Sequence, residues 1–146
     1  MPELKTLVQE NAKERQRLKA LTESLKDADF NRILPNGWTL TSTLVHLAFW
    51  DLRQLSMLNR WLEEKVEPGS LDAEAINGPL NVIATGVTGP AAVKLAVEAA
   101  ETVDHQVEKL TPAQAEELLK KGLERNLHRA IHRKNHLDKM EKALGR

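Results

Sequence analysis

Apolar residues recur along this chain at helical spacing, and the places where the recurrence fails divide it into segments. From Glu3 to about Leu25, the residues Leu4, Leu7, Val8, Leu18, Leu21 and Leu25 keep a 3.6-residue period with charges between them. That predicts an amphipathic helix of bundle length. Lys26 to Asn36 is a polar connection, and Leu34-Pro35-Asn36-Gly37 is a turn signal that stops any helix. Thr39 then serves as an N-cap, and Leu40 to Glu64 runs on without a breaker. This second helix is apolar over much of its circumference, from Leu44, Val45 and Leu47 through Trp50 and Leu58 to Trp61. Such girth predicts a central helix touching two neighbours. His46 sits inside the apolar run.

Pro68-Gly69-Ser70 ends that unit. Leu71 to Thr85 is weakly helical, and Asn77-Gly78-Pro79 breaks it midway, so it reads as a short helix or an irregular crossover. Thr88-Gly89-Pro90 starts a third long helix that runs to about Leu110 through Val93, Ala96, Val97, Ala100 and Val103. Thr111-Pro112 caps a short helix from Ala113 to Lys120, and Gly122 separates it from a last helix, Leu123 to about Leu144. There Leu127, Ile131, Leu137, Met140 and Leu144 carry the apolar period, with no Gly or Pro between them. No β-alternation, repeat or low-complexity tract appears. Four long helices with one long crossover between the second and third predict an all-α four-helix bundle, one domain over residues 1–146.

Composition narrows the classes. A chain of 146 residues, 41% of them hydrophobic, suffices for one core. Basic and acidic residues balance at 21 each, so no global field draws in nucleic acid or acidic lipid. The basic cluster Arg125, Arg129, Arg133 and Lys134 is interrupted by Glu124, Asp138 and Glu141 and lacks an aromatic platform, so it reads as a solvated face. Cysteine is absent, which removes disulfides, thiolate ligands and cysteine nucleophiles and fits a reducing cytoplasm. Tyrosine is absent too, which excludes a tyrosine acid or base. No stretch approaches the ~18 to 20 apolar residues of a membrane span, and Met1-Pro2-Glu3-Leu4-Lys5 opens no signal peptide. A cytoplasmic chain acting on a small molecule, with neither nucleic acid nor membrane as partner, is expected.

The candidate chemistry lies in histidines. Three of the five, His128, His132 and His136, fall four residues apart. On a helix, residues i and i+4 share a face one turn apart, so His132 and His136 offer two imidazoles to one ion. The paired histidines of a zinc-protease helix do the same, but here Arg133 stands where such a helix carries its Glu. His136 lies roughly 75° and His132 roughly 115° from the centre of the local apolar stripe, and His128 roughly 135° from its own. The pair flanking the stripe is therefore His132 and His136; the other reading is three surface histidines on a basic face. His105, among Glu101, Asp104 and Glu108, reads as a surface residue. Asp51 lies roughly 140° around the second helix from His46, so no carboxylate is placed beside that ring. Arg53 and Arg129 are weak candidates for binding a substrate carboxylate, and Asn77 for facing the site from the crossover. Each also reads as an ordinary salt-bridging or turn residue. Trp38 and Trp50 read as packing residues.

Gly37-Trp38-Thr39, followed by Leu44-Val45-His46-Leu47-Ala48-Phe49-Trp50-Asp51 and by His132-xxx-His136-xxx-Met140, resembles the DinB-like superfamily. That superfamily groups damage-inducible DinB-type proteins, YfiT-type hydrolases and thiol-dependent S-transferases. The last include the N-terminal domain of mycothiol-dependent maleylpyruvate isomerase. The resemblance covers nearly the whole chain, since Asp72 to Asn77 also looks like the family's crossover. It implies an up-down-down-up bundle, often dimeric. It also implies a divalent ion, nickel or zinc first, on His46, His132 and His136, with open positions for water or a thiol. Three imidazoles with an open position are a catalytic rather than a structural pattern. The activity implied is metal-dependent transfer or isomerisation using a low-molecular-weight thiol. The alternatives are a hydrolase with metal hydroxide as nucleophile, or a non-catalytic bundle that binds a partner. The bundle-only length leaves no separate substrate domain of the kind the longer isomerases carry.

Overall fold

The computed structural model describes residues 2–146; expectations that rest on Met1 lie outside the described residues. Among the described residues seven helices follow one another: α1 (Leu4–Glu23), α2 (Leu40–Glu64), α3 (Ala73–Ala84), α4 (Gly89–Glu108), α5 (Pro112–Lys120), α6 (Glu124–Leu127) and α7 (Arg129–Ala143). A 3₁₀ turn, Asp27–Asn31, lies between α1 and α2. Among the described residues no β-strand forms. A lone antiparallel bridge between Ile33 and Thr39 closes the turn at Gly37, whose φ of +86° suits a residue without a Cβ. The caps are where the side chains put them. Thr39 accepts from the Ser42 N–H at 3.0 Å, Thr88 from Ala91 at 3.2 Å and Thr111 from Gln114 at 3.2 Å.

The crossover departs from expectation. α3 runs straight through Asn77-Gly78-Pro79 as one helix. Pro79 cannot donate to the Ala75 carbonyl, but Ala75 is exposed and water can take that acceptor. Asp72 caps the start by accepting the Ala75 N–H at 3.2 Å, and Leu80 and Ala84 pack on the core.

The last helix departs too. It is broken at His128, where ψ of 73° takes the chain out of the helix between α6 and α7. The break shifts the phase of everything after it. Ile131, expected in the apolar stripe, is 50% exposed, while Arg133 is fully buried. Leu127, Leu137 and Met140 are buried as expected.

The interior has two apolar clusters. One joins Leu18 and Leu21 of α1, Leu40 to Leu47 of α2, Ala92 to Ala100 of α4, and Leu137 and Met140 of α7. The other joins Leu7, Leu58, Trp61, Val107, Leu118 and Leu127. Alongside them lies a buried polar layer with one or more residues from each long helix: Asn11, Asp51, Asp104, Arg129 and Arg133. The Arg133 guanidinium donates to Asp104 twice at 2.8 Å, to Asp51 at 3.2 Å and to the Asn11 carbonyl at 3.2 Å. Burial works against its charge, and the two carboxylates outweigh it and raise its pKa above the ordinary arginine value. No described helix is long and apolar enough to cross a membrane.

Candidate metal centre

His46 comes from the apolar face of α2, and His132 and His136 from successive turns of α7. Their ring centroids lie 5.0 Å (His46 to His132), 4.6 Å (His46 to His136) and 4.7 Å (His132 to His136) apart. One ring nitrogen from each falls within 4.8 Å of the others. His46 Nε2 and His132 Nε2 are 3.0 Å apart. The rings that sequence spacing brought to one face of α7 thus meet the α2 histidine across the bundle.

The surroundings keep these imidazoles neutral. Burial, the leading cause in each case, lowers the pKa from 6.5 to about 4 for His46, about 3 for His136 and about 2 for His132. The Arg129 charge adds to the effect at both His132 and His46. Neutral imidazoles are the form that binds a metal. Trp38 packs 4.8 Å from His46 and lies stacked near His136 at 6.2 Å, and Trp50 lies 6.2 Å from His46. These tryptophans do pack, and they pack on the histidines.

His46 also has the outer partner of a metal ligand. Its Nδ1–H donates to Asn77 Oδ1 at 3.2 Å, and the Trp50 indole N–H donates to the same oxygen at 3.2 Å. A ligating histidine commonly gives its other ring N–H to such an acceptor. His136 keeps a buried Nδ1 with no hydrogen-bond partner among the described residues. With three convergent neutral imidazoles and that unpaired nitrogen, the donor set fits a borderline divalent ion such as nickel or zinc. His46, His132 and His136 would hold it.

The other singled-out residues fall as follows. His128 stands apart, its Nε2 paired with Glu10 of α1. Arg129 is buried, not part of a solvated face: Nε donates to Asp51 at 2.8 Å, Nη1 to the Arg125 carbonyl at 2.8 Å and Nη2 to His132 Nδ1 at 3.2 Å. Arg133 likewise leaves the expected basic surface for the interior. Arg53 sits 5.7 Å over the Trp50 ring. His105 is exposed, within 3.9 Å of Glu108. A cleft of about 660 Å³ is lined by Trp38 together with Phe30, Thr41, Ser42, Asn81 and Thr88, and by none of the three histidines. Ser42 hydrogen-bonds Asn81, one turn beyond Asn77 on α3. Asn11, Asp51 and Asp104 carried no functional signal in the sequence, since isolated polar residues on amphipathic helices ordinarily face water.

An all-helical chain with three imidazoles converging from two helices defines a helical protein with a three-histidine candidate metal centre. The chain belongs to the DinB superfamily, whose family model matches residues 10–135. The matched span contains His46 and His132 and stops one residue before His136. Comparisons with curated proteins and with solved structures found no match.

Proposed function

We propose that this chain is a metal-dependent enzyme that joins a low-molecular-weight thiol to a small electrophile, as an S-transferase or an isomerase. The observation that carries the reading is three neutral, convergent histidines, with no carboxylate joining the cluster among the described residues. Asp51 has one oxygen against Arg129 and the other against Arg133, so it is not available for proton transfer. A hydrolase would call for a carboxylate near the attacking water. A divalent ion on His46, His132 and His136 would lower the pKa of a coordinated thiol or water.

The chain's own residues supply the rest. Asn77 orients His46. Trp38 and Trp50 shield the rings from solvent, which strengthens electrostatic interactions within the site. The Arg129 charge beside His132 favours an anionic thiolate there, and Arg53, held at the Trp50 edge of the site, suits a substrate carboxylate. The cleft beside Trp38 gives room for the body of a substrate.

We read the architecture as the up-down-down-up bundle. In its support, one apolar cluster joins late residues of α1 and α7 with early residues of α2 and α4, and the other joins the opposite ends.

The test is elemental analysis of untagged protein, wild type against His132→Ala, followed by a thiol titration of the cobalt-substituted protein. The expected result is close to one divalent ion per chain, lost in the variant, and a thiol-dependent shift of the cobalt spectrum. Turnover of activated esters with metal and no thiol would replace the reading by a hydrolase. No uptake of nickel or zinc would overturn both and leave a binding protein.

A further inference from the structure

The direction of every hydrogen bond through the histidines is set by groups that can only donate. A guanidinium has no acceptor, so His132 Nδ1, 3.2 Å from Arg129 Nη2, must present its lone pair. The proton of this neutral ring is then on Nε2, where it donates to His46 Nε2 at 3.0 Å. The far end gives the same answer independently. The Trp50 indole N–H only donates, so the Asn77 atom it meets is the carbonyl oxygen. His46 therefore needs its proton on Nδ1 to reach that oxygen, which leaves Nε2 free to accept. One polarised chain results, from Asp51 and Arg129 through His132 and His46 to Asn77.

The two ends differ in what they offer an ion. His46 has its Nε2 lone pair ready and an acceptor for its other proton. His132 has the opposite arrangement: its Nε2 carries the proton, and Nδ1 faces a donor. Moving that proton to Nδ1 would set N–H against N–H. We infer that Arg129 is a positioning residue that holds His132 in the Nε2–H tautomer, so that this ring accepts an ion only after Arg129 Nη2 and Nδ1 have parted.

Arg129 is anchored to Asp51 through Nε and to the Arg125 carbonyl through Nη1, and its guanidinium is planar and rigid. Parting Nη2 from Nδ1 therefore takes a turn of the His132 ring or a shift of the guanidinium as a whole. The inference rests on the proposed metal role of the triad for its consequence, but the tautomer itself requires no metal.

The test uses the full chain, metal-free, with ¹⁵N-labelled histidine and long-range ¹H–¹⁵N correlation, together with zinc affinity by competition against a chromophoric chelator. In the wild type, His132 is expected as Nε2–H and His46 as Nδ1–H. In Arg129→Met, which keeps the length of the side chain but has no donor, His132 should gain a fraction of the Nδ1–H form, with His46 Nε2 still favouring Nε2–H, while His46 does not change. Zinc affinity should rise about tenfold, the lower end of what changes around a ligand produce. A merely structural arginine would lower stability and leave the tautomer where it was. Wild-type His132 found as Nδ1–H, or zinc affinity unchanged or reduced in a folded variant, would overturn the inference. Where the variant does not fold, the wild-type spectrum alone decides. Because that spectrum is taken without metal, it separates failure of the tautomer assignment from failure of the metal reading.

Discussion

Asn11 of α1 commits both ends of its side-chain amide to the break before α7. Its Nδ2 donates to the Leu127 carbonyl at 2.8 Å, and its Oδ1 accepts the Ala130 N–H at 2.8 Å. These are an orphan acceptor at the end of one helix and an orphan donor in the first turn of its successor, and both are buried. Replacing Asn11 by Leu leaves two buried backbone groups unpaired. A loss of about 2–6 kcal/mol is expected in urea unfolding, from about 1–3 kcal/mol for each unpaired group. A loss below about 0.5 kcal/mol would mean that the break is stable without Asn11.

Arg133 is fully buried between Asp51 and Asp104. Arg133→Met strands two carboxylates away from water, with Arg129 and Arg15 still beside one each. Breaking a buried pair from one side costs about 3–5 kcal/mol. Thermal unfolding of the variant should show a correspondingly large drop, and the drop should shrink when Asp104→Asn is added.

Acid should destabilise the metal-free protein through its histidines. The folded-state pKa values of His46, His136 and His132, about 4, 3 and 2, lie below the ordinary 6.5, so the unfolded chain takes up these protons first. Their contribution is fully present above pH 6.5 and falls as pH drops toward 4, then on toward 3 and 2. Each imidazole adds up to about 1.4 kcal/mol per pH unit to the slope. Unfolding free energy measured from pH 7 to pH 4 should therefore fall less steeply in His132→Gln than in wild type. Equal slopes would count against a neutral, half-buried His132.

Trp38 should report on the centre. It lies 4.8 Å from His46, whereas Trp61 belongs to the other apolar cluster, under Lys65. Copper or nickel added to the protein should quench tryptophan emission, and Trp38→Phe should remove a large share of that quenching. Quenching carried wholly by Trp61 would place the ion elsewhere.

Ile131 tests the phase of α7. At 50% exposure, Ile131→Lys should change stability by less than about 0.5 kcal/mol, as a surface substitution does. Leu137→Ala, fully buried, should cost about 2–5 kcal/mol. A large cost for the lysine would put Ile131 in the core, as a continuous last helix would have it.

Much of this was legible locally. Thr39, Thr88 and Thr111 mark three helix starts because an N-cap acts on the next three residues and needs nothing distant. His132 and His136 share a face because they lie one turn apart on the same helix, and the resemblance brought in His46. Pro79 misled because a proline's cost depends on whether the carbonyl it orphans can meet water, which sequence does not state.

By itself, then, the sequence determined the helical segments, most of their caps and the pairing of histidines on α7, all of which follow from periodicity and short-range hydrogen bonding. Only the tertiary structure decided the break at His128, because its partner Asn11 lies 116 residues before Leu127. It alone decided that Arg129 and Arg133 are interior, since an arginine is buried only where carboxylates from other helices meet it, as Asp51 and Asp104 do here. And it alone set Arg129 against His132, because a ring's tautomer is imposed by whichever donors and acceptors the fold brings to its two nitrogens.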